Sequence, residues 1–164
     1  MKTVTKTGAH AAIPFDPNWK SILECAAVEV FEMMAGVHPE IDNSEVGEPR
    51  GEQTAMVGLA GALCGMATIR CSNGMAGRFA SLMLGGDAGG NPSAARDALG
   101  ELCNMVAGNF KGKVSGLADH CMLSVPTVIT GEDYSMTPLE PSDGVTLALK
   151  LDGETIWVSL VIHG

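Results

Sequence analysis

The chain has 164 residues and a mass of 16.9 kDa, a length that suits one domain. Hydrophobic residues make up 46% and the mean hydropathy is +0.19, which excludes a wholly disordered chain. Ten Lys and Arg against 19 Asp and Glu give a net charge of −9, which repels phosphate backbones and argues against nucleic acid as a partner. A basic protein surface or pocket is easier for such a chain to approach.

Residues 1–16 read as a mixed arm with room for a short strand. The N-terminus MKTVTKTGAHAA is too polar for a secretion signal, and no apolar run is long enough to span a membrane, so the expected location is cytoplasmic. Asp16-Pro17 can open a first helix over about Asn18–Ala35, with Ile22, Ala26, Val30, Met33 and Val37 at helical spacing and Gly36 as the stop. Residues 38–53 are polar and rich in turn formers, and predict a loop or hairpin arm. Thr54–Gly61 and Cys64–Cys71 read as two paired strands. Asn73 can cap a second helix with an apolar stripe of Met75, Phe79, Leu82 and Met83, ending at Gly85-Gly86. The run GGDAGGNP at Gly85–Pro92 lacks the Gly-Lys-Ser/Thr end of a phosphate loop, so it predicts a plain connector between helices.

A third helix is expected over Ser93–Lys113, followed by strands near Cys121–Thr130 and Tyr134–Leu139. Val145–Leu151 and Glu154–Ile162 flank Asp152-Gly153, a type I′ turn sequence. That turn sets Leu149 against Ile156, Leu147 against Val158 and Val145 against Leu160. The elements predict an α+β fold, a mainly antiparallel sheet covered by helices, in a single domain over residues 1–164. The five cysteines are odd in number and form no C-x-x-C pair, which argues against a disulfide framework or zinc knuckle. Their apolar surroundings predict reduced, buried thiols.

The third helix carries the chemistry. At about 100° per residue, Ala95, Leu99, Leu102, Cys103, Val106 and Phe110 fall on one side and face the sheet. Asp97, Glu101 and Asn104 fall opposite, at i, i+4 and i+7. Gly100, Ala107 and Gly108 surround them, with Lys111 one turn on. Two glycines on such a face cost helix stability, about 1 kcal/mol each relative to Ala. One interpretation is a solvated face with incidental glycines. The other is a bare surface that lets a second molecule approach closely. The ridge has no nucleophile, and two carboxylates without His are too sparse to hold a metal. An amide can orient a water for in-line attack in phosphoryl hydrolysis, and a neighbouring carboxylate can pair with a cation. Such a ridge is half of an active site, completed by a partner.

The segment Asp97-Ala-Leu-Gly-Glu101-Leu-Cys-Asn104-Met-Val-Ala-Gly-Asn109 resembles the D/S-x3-E-x2-N signature of the CheC/CheX/FliY phosphatases of bacterial chemotaxis. Phe79–Gly85 (FASLMLG) and Val30–Gly36 (VFEMMAG) resemble the CheX type more loosely. The resemblance implies a CheX-like fold with an internal pseudo-repeat. It also implies dephosphorylation of a phosphorylated CheY-like receiver domain. On this sequence Asn104 would orient the attacking water, and Glu101 would pair with the receiver's active-site lysine. Asp97, Gly100 and Gly108 would border the docked partner. The receiver would bring its own Mg²⁺, so no metal or cofactor of this chain's own is expected. A non-catalytic module that docks a receiver is the alternative.

Family members of the CheC type can carry two motif helices. Aligning Glu24 with Glu101 sets Lys20 against Asp97, Ala27 against Asn104 and Phe31 against Gly108, so the first helix lacks the amide and a second site is not expected. The four His residues show no metal-binding spacing, and there is no G-x-S-x-G elbow. The last strand, Trp157–Ile162, is apolar on both faces. That predicts a covered strand and, with the habit of CheX-type relatives to pair through sheet edges, a homodimer.

Overall fold

The Asp152-Gly153 turn has the expected left-handed backbone, with φ +50° and +77°. It joins β6 (Ser142–Leu151) to β7 (Glu154–His163) in the expected register: Leu149 faces Ile156, Leu147 faces Val158 and Val145 faces Leu160. This is a computed structural model, and it describes residues 13–45, 47–137 and 142–163. Residues 1–12, most of the expected arm, lie outside that set.

Before this hairpin come α1 (Trp19–Ala35), β1 (Glu40–Ile41), β2 (Gln53–Gly61), β3 (Cys64–Cys71), α2 (Asn73–Leu84), a 3-10 turn at Gly86–Gly90, α3 (Pro92–Lys113), β4 (Cys121–Leu123) and β5 (Thr127–Thr130). The strands make one antiparallel sheet in the order β1-β6-β7-β3-β2-β4, with β5 also on β2. The architecture is therefore α+β, as expected.

Alternation along the strands sends Ala55, Val57, Leu59, Ala67, Ile69, Leu147, Leu149, Ile156, Val158 and Leu160 into a core shared with the three helices. Trp19 meets Phe110 edge-on at 5.9 Å, and Phe31 lies 5.3 Å from Phe79. These contacts lock α1 to α3 and α2. Gly77 and Gly89 explain the glycine-rich connector. A Cβ on either would come within 2.7 Å of the other's carbonyl oxygen, so the 3-10 turn packs directly on α2.

Several expectations are corrected. The cap of α2 is Ser72, whose Oγ accepts from the Met75 amide at 3.0 Å, and Asn73 is the first helical residue. Asp16 accepts from the Asn18 amide but forms a turn ahead of α1, whose own cap position is Asn18. Leu82 is 44% exposed and Leu84, at the end of α2, 63%, so the last turn of the helix is not covered. Residues 134–137 form no strand, and 138–139 lie outside the described residues. Instead the Tyr134 hydroxyl bonds to Thr54 and its ring lies 4.5 Å from the Arg70 guanidinium, so this segment crosses the open face of the sheet. Cys25 and Cys64 are exposed, whereas Cys71, Cys103 and Cys121 are buried.

The reason given for a homodimer also changes. β7 is not an edge: it lies between β6 and β3, and Trp157 on its second face is covered by Arg50 at 5.6 Å. Its apolar faces are covered by this chain. The incomplete edge is that of β6, where β1 pairs only with Leu149 and Lys150.

Candidate functional site

Asn91 starts α3. Its Oδ1 accepts from the Ser93 and Ala94 amides at 3.0 and 3.4 Å, and Pro92 occupies the first turn. The helix starts one residue earlier than expected and ends, as expected, at Lys113. Ala95, Leu99, Leu102, Cys103, Val106 and Phe110 are all buried. Six apolar anchors over four turns fix the rotation of the helix, and therefore fix what faces outward.

Asp97 and Glu101 are exposed and Asn104 is half-buried. The spacing i, i+4, i+7 brings them onto one ridge. No hydrogen bond or ion pair ties any of the three to another described residue, so both carboxylates and the amide are available to a second molecule. Lys111 is not. Its Nζ donates to the Cys121 carbonyl at 2.5 Å, which draws it off the ridge onto β4. Asn109 is also engaged, donating to the Ala26 carbonyl at 3.2 Å and to Glu29 at 2.9 Å. Glu29 holds Lys113 as well, at 2.9 Å. The Asn109 amide first, then Lys113 and Cys25, draw the Glu29 carboxyl down to about 2. This cluster fastens α3 to α1 and sets one flank of the ridge.

The other flank corrects the expected role of Gly100. That glycine is buried, and a Cβ there would lie 3.4 Å from Pro126 and 3.6 Å from Val128. Ala107 is buried too. The close surface at Gly100 is thus this chain's own β4–β5 segment, and only Gly108, half-buried with Leu123 at 3.8 Å, still borders open space. Sequence reasoning missed this flank. Its one signal was Pro126 inside an otherwise strand-like run, since proline cannot continue a ladder.

The first helix carries no equivalent of the ridge. Ala27 and Phe31, aligned above with Asn104 and Gly108, are 0% exposed, and Glu24 is paired with Lys20 at 3.4 Å. The outward ridge of α1 is shifted by one residue, to Ser21, Cys25, Val28 and Glu32. Neither alignment places an amide where α3 has Asn104.

Other chemistry is limited. Among the described residues no three His, Cys, Asp or Glu side chains are grouped as a metal would need. Burial pushes the Cys71 and Cys103 thiols up to about 12, so neither supplies a thiolate. A groove of about 690 Å³ lies on the open face of the sheet, opposite the helices. Its Arg70 is already held by the Gly51 and Glu132 carbonyls. The ridge on α3 is convex. It suits a macromolecule that brings its own pocket rather than a small substrate. No described helix is long and apolar enough to cross a membrane.

Comparison with known proteins agrees with this picture. The family model described as chemotaxis phosphatase CheX matches residues 53–150, which include α3. A CheX from Desulfovibrio desulfuricans is 22% identical, with a TM-score of 0.77 over 89% of this chain and 99% of the other. A CheX from Vibrio vulnificus is 18% identical, with a TM-score of 0.76 over 92% and 100%. A CheX–CheY–BeF3–Mg²⁺ complex from Borrelia burgdorferi is 23% identical, with a TM-score of 0.72 over 89% and 98%. At these identities the likeness concerns the fold. No curated protein matches the chain.

Proposed function

Because the chain belongs to the CheX family of chemotaxis phosphatases, we propose that it dephosphorylates a phosphorylated CheY-like receiver domain. The observation that carries this is the unpartnered Glu101–Asn104 pair on the outward ridge of a helix whose other side is anchored in the core. Hydrolysis of an aspartyl phosphate needs a water aligned opposite the leaving carboxylate and little covalent chemistry from the catalyst. Asn104 can accept from that water and donate to a phosphoryl oxygen at once, which fixes its line of attack. Glu101, three residues earlier, pairs with the receiver's active-site lysine and sets the register of docking. Asp97 adds a second acidic contact one turn further out. The receiver supplies the phosphoaspartate and its Mg²⁺. The chain works as one cytoplasmic domain without a metal of its own.

The partner named in the Borrelia burgdorferi complex, CheY with BeF3 and Mg²⁺, supports a receiver as the substrate here. A homodimer belongs to the same proposal. It is carried by the outer side of β6, away from β7, where Ser142–Leu147 pairs with no strand among the described residues. Light scattering that gives the mass of one chain, 16.9 kDa, contradicts the dimer.

The functional test is phosphate release from a phosphorylated CheY-like receiver with Mg²⁺, in the presence and absence of the chain. Faster release with the chain is the expected result. Binding with unchanged release would instead support a non-catalytic docking module.

A further inference from the structure

β4 and β5 both pair with the outer edge of β2, but not in one continuous ladder. Leu123 faces Leu59 and Thr127 faces Met56. Between those pairs β2 has two residues, Val57 and Gly58, and the edge has three, Ser124, Val125 and Pro126. The edge therefore carries a one-residue bulge. Ser124 pins it, bonding through both its amide (2.9 Å) and its Oγ (2.8 Å) to Gly58. Pro126, with no N–H, cannot rejoin the ladder early. Bulges of this kind are frequent beside active sites, where they re-aim a side chain.

The bulge runs alongside the ridge. Leu123 lies 3.8 Å from the Gly108 Cβ position, and Pro126 lies 3.4 Å from that of Gly100. Gly100, Asn104 and Gly108 are successive i, i+4 positions, about 12 Å from first to last at 1.5 Å per residue. Three extended residues cover about 10 Å, so the chain from Leu123 to Pro126 spans the same stretch. Its middle residues, Ser124 and Val125, therefore lie alongside Asn104. Val125 is 84% exposed, the most exposed large hydrophobic residue among those described.

A receiver that brings its phosphoaspartate to Asn104 needs a contact wider than one helix ridge. A stable interface buries about 800 Å² on each side. On the α1 flank the polar groups of Asn109, Glu29 and Lys113 are already bonded to one another. The bulge flank offers exposed apolar surface beside the ridge. Granting the proposed function, we infer that the Ser124–Pro126 bulge is the second wall of the receiver-docking surface. Val125 is its apolar anchor, meeting an apolar spot beside the receiver's phosphorylation pocket. Val125 touches no reacting atom. It contributes equally to ground and transition state, so it sets affinity and not the maximal rate.

The experiment uses Val125→Asp in the full chain, titrated with a CheY-like receiver carrying BeF3 and Mg²⁺ and assayed against the phosphorylated receiver. The expected result is a rise of about tenfold or more in both Kd and KM, with kcat within about twofold of the parent. Val125→Ile, which keeps the apolar contact, should stay within about twofold on every measure. Unchanged Kd in Val125→Asp overturns the inference. So does a fall in kcat at unchanged KM, which would make the bulge part of the catalytic geometry. Absence of catalysis in the parent chain defeats the phosphatase proposal alone, because the Kd comparison still decides the role of Val125. Absence of receiver binding by the parent chain defeats both.

Discussion

Helices α1 and α3 lie side by side on one face of the same sheet, and Asn109 ties them together. Only α3 presents a usable ridge. On α3 the outward positions i, i+4, i+7 and i+11 are Asp97, Glu101, Asn104 and Gly108. On α1 they are Ser21, Cys25, Val28 and Glu32. Glu32, the carboxylate in that frame, is held by His38, and Glu24, which aligns with Glu101, is paired with Lys20 one turn back. The comparison teaches that a carboxylate on a surface helix is not enough. The proposed site adds an amide in the next turn, no partner within the chain, and a small residue beyond it so that a second protein can come close.

The strongest break of that contrast is Glu101→Ala. Removing the group proposed to pair with the receiver's cation should lower kcat/KM about 10²-fold or more, close to 3 kcal/mol of barrier. Docking to the BeF3-bound receiver should weaken as well. Since Glu101 is exposed and unpartnered, unfolding stability should stay within about 0.5 kcal/mol. Intact activity in this variant would make α3 no different from α1.

Gly108→Gln fills the space that α3 leaves open. Its Cβ would meet Leu123 at an ordinary 3.8 Å, so the fold accepts it. The helix gains up to about 1 kcal/mol of propensity over glycine. Receiver affinity should fall about tenfold or more, because a long side chain then stands between the two proteins. A stabilised variant that still binds as the parent does would show that close approach at Gly108 is not required. On α1 the corresponding change, Glu24→Ala, should leave dephosphorylation within about threefold, under 1 kcal/mol of barrier. A loss as large as that at Glu101 would reveal a second site.

The smallest effect concerns the tie between the helices. Glu29 sits at about 2 in the folded chain against an ordinary 4.5, chiefly because Asn109 donates to its charged form. Its contribution to stability is present above pH 4.5 and is lost as the pH falls toward 2. Thermal unfolding of the parent chain should therefore lose stability across that window more steeply than Glu29→Gln does. Parallel pH profiles would mean that the Asn109–Glu29–Lys113 cluster does not hold α1 against α3.

The parts of the molecule legible in the sequence are those fixed by local chemistry. The Asp152-Gly153 turn dictates the register of β6 and β7 two residues at a time. The 3.6-residue period of α3 alone separates its buried side from the Asp97–Glu101–Asn104 ridge. What was not legible depends on distant partners. Gly100 is covered by Pro126 and Val128, more than 25 residues away in sequence, so its burial leaves no local trace. Tyr134 leaves the strand pattern because Thr54 and Arg70 hold it over the sheet face. β7 proves central because β3, far earlier in the chain, pairs with its second edge. The bulge at Val125 is invisible until both β4 and β5 are matched to β2.

The most direct measurement of the central claim is the maximal rate at which saturating Asn104→Ala removes the phosphoryl group from a CheY-like receiver, set beside its affinity for the BeF3-bound form. Loss of the amide proposed to orient the water should reduce that rate about 10²-fold or more, with affinity within about twofold of the parent. If Asn104→Ala dephosphorylates the receiver as fast as the parent chain, the ridge on α3 is a docking surface and the catalytic assignment is wrong.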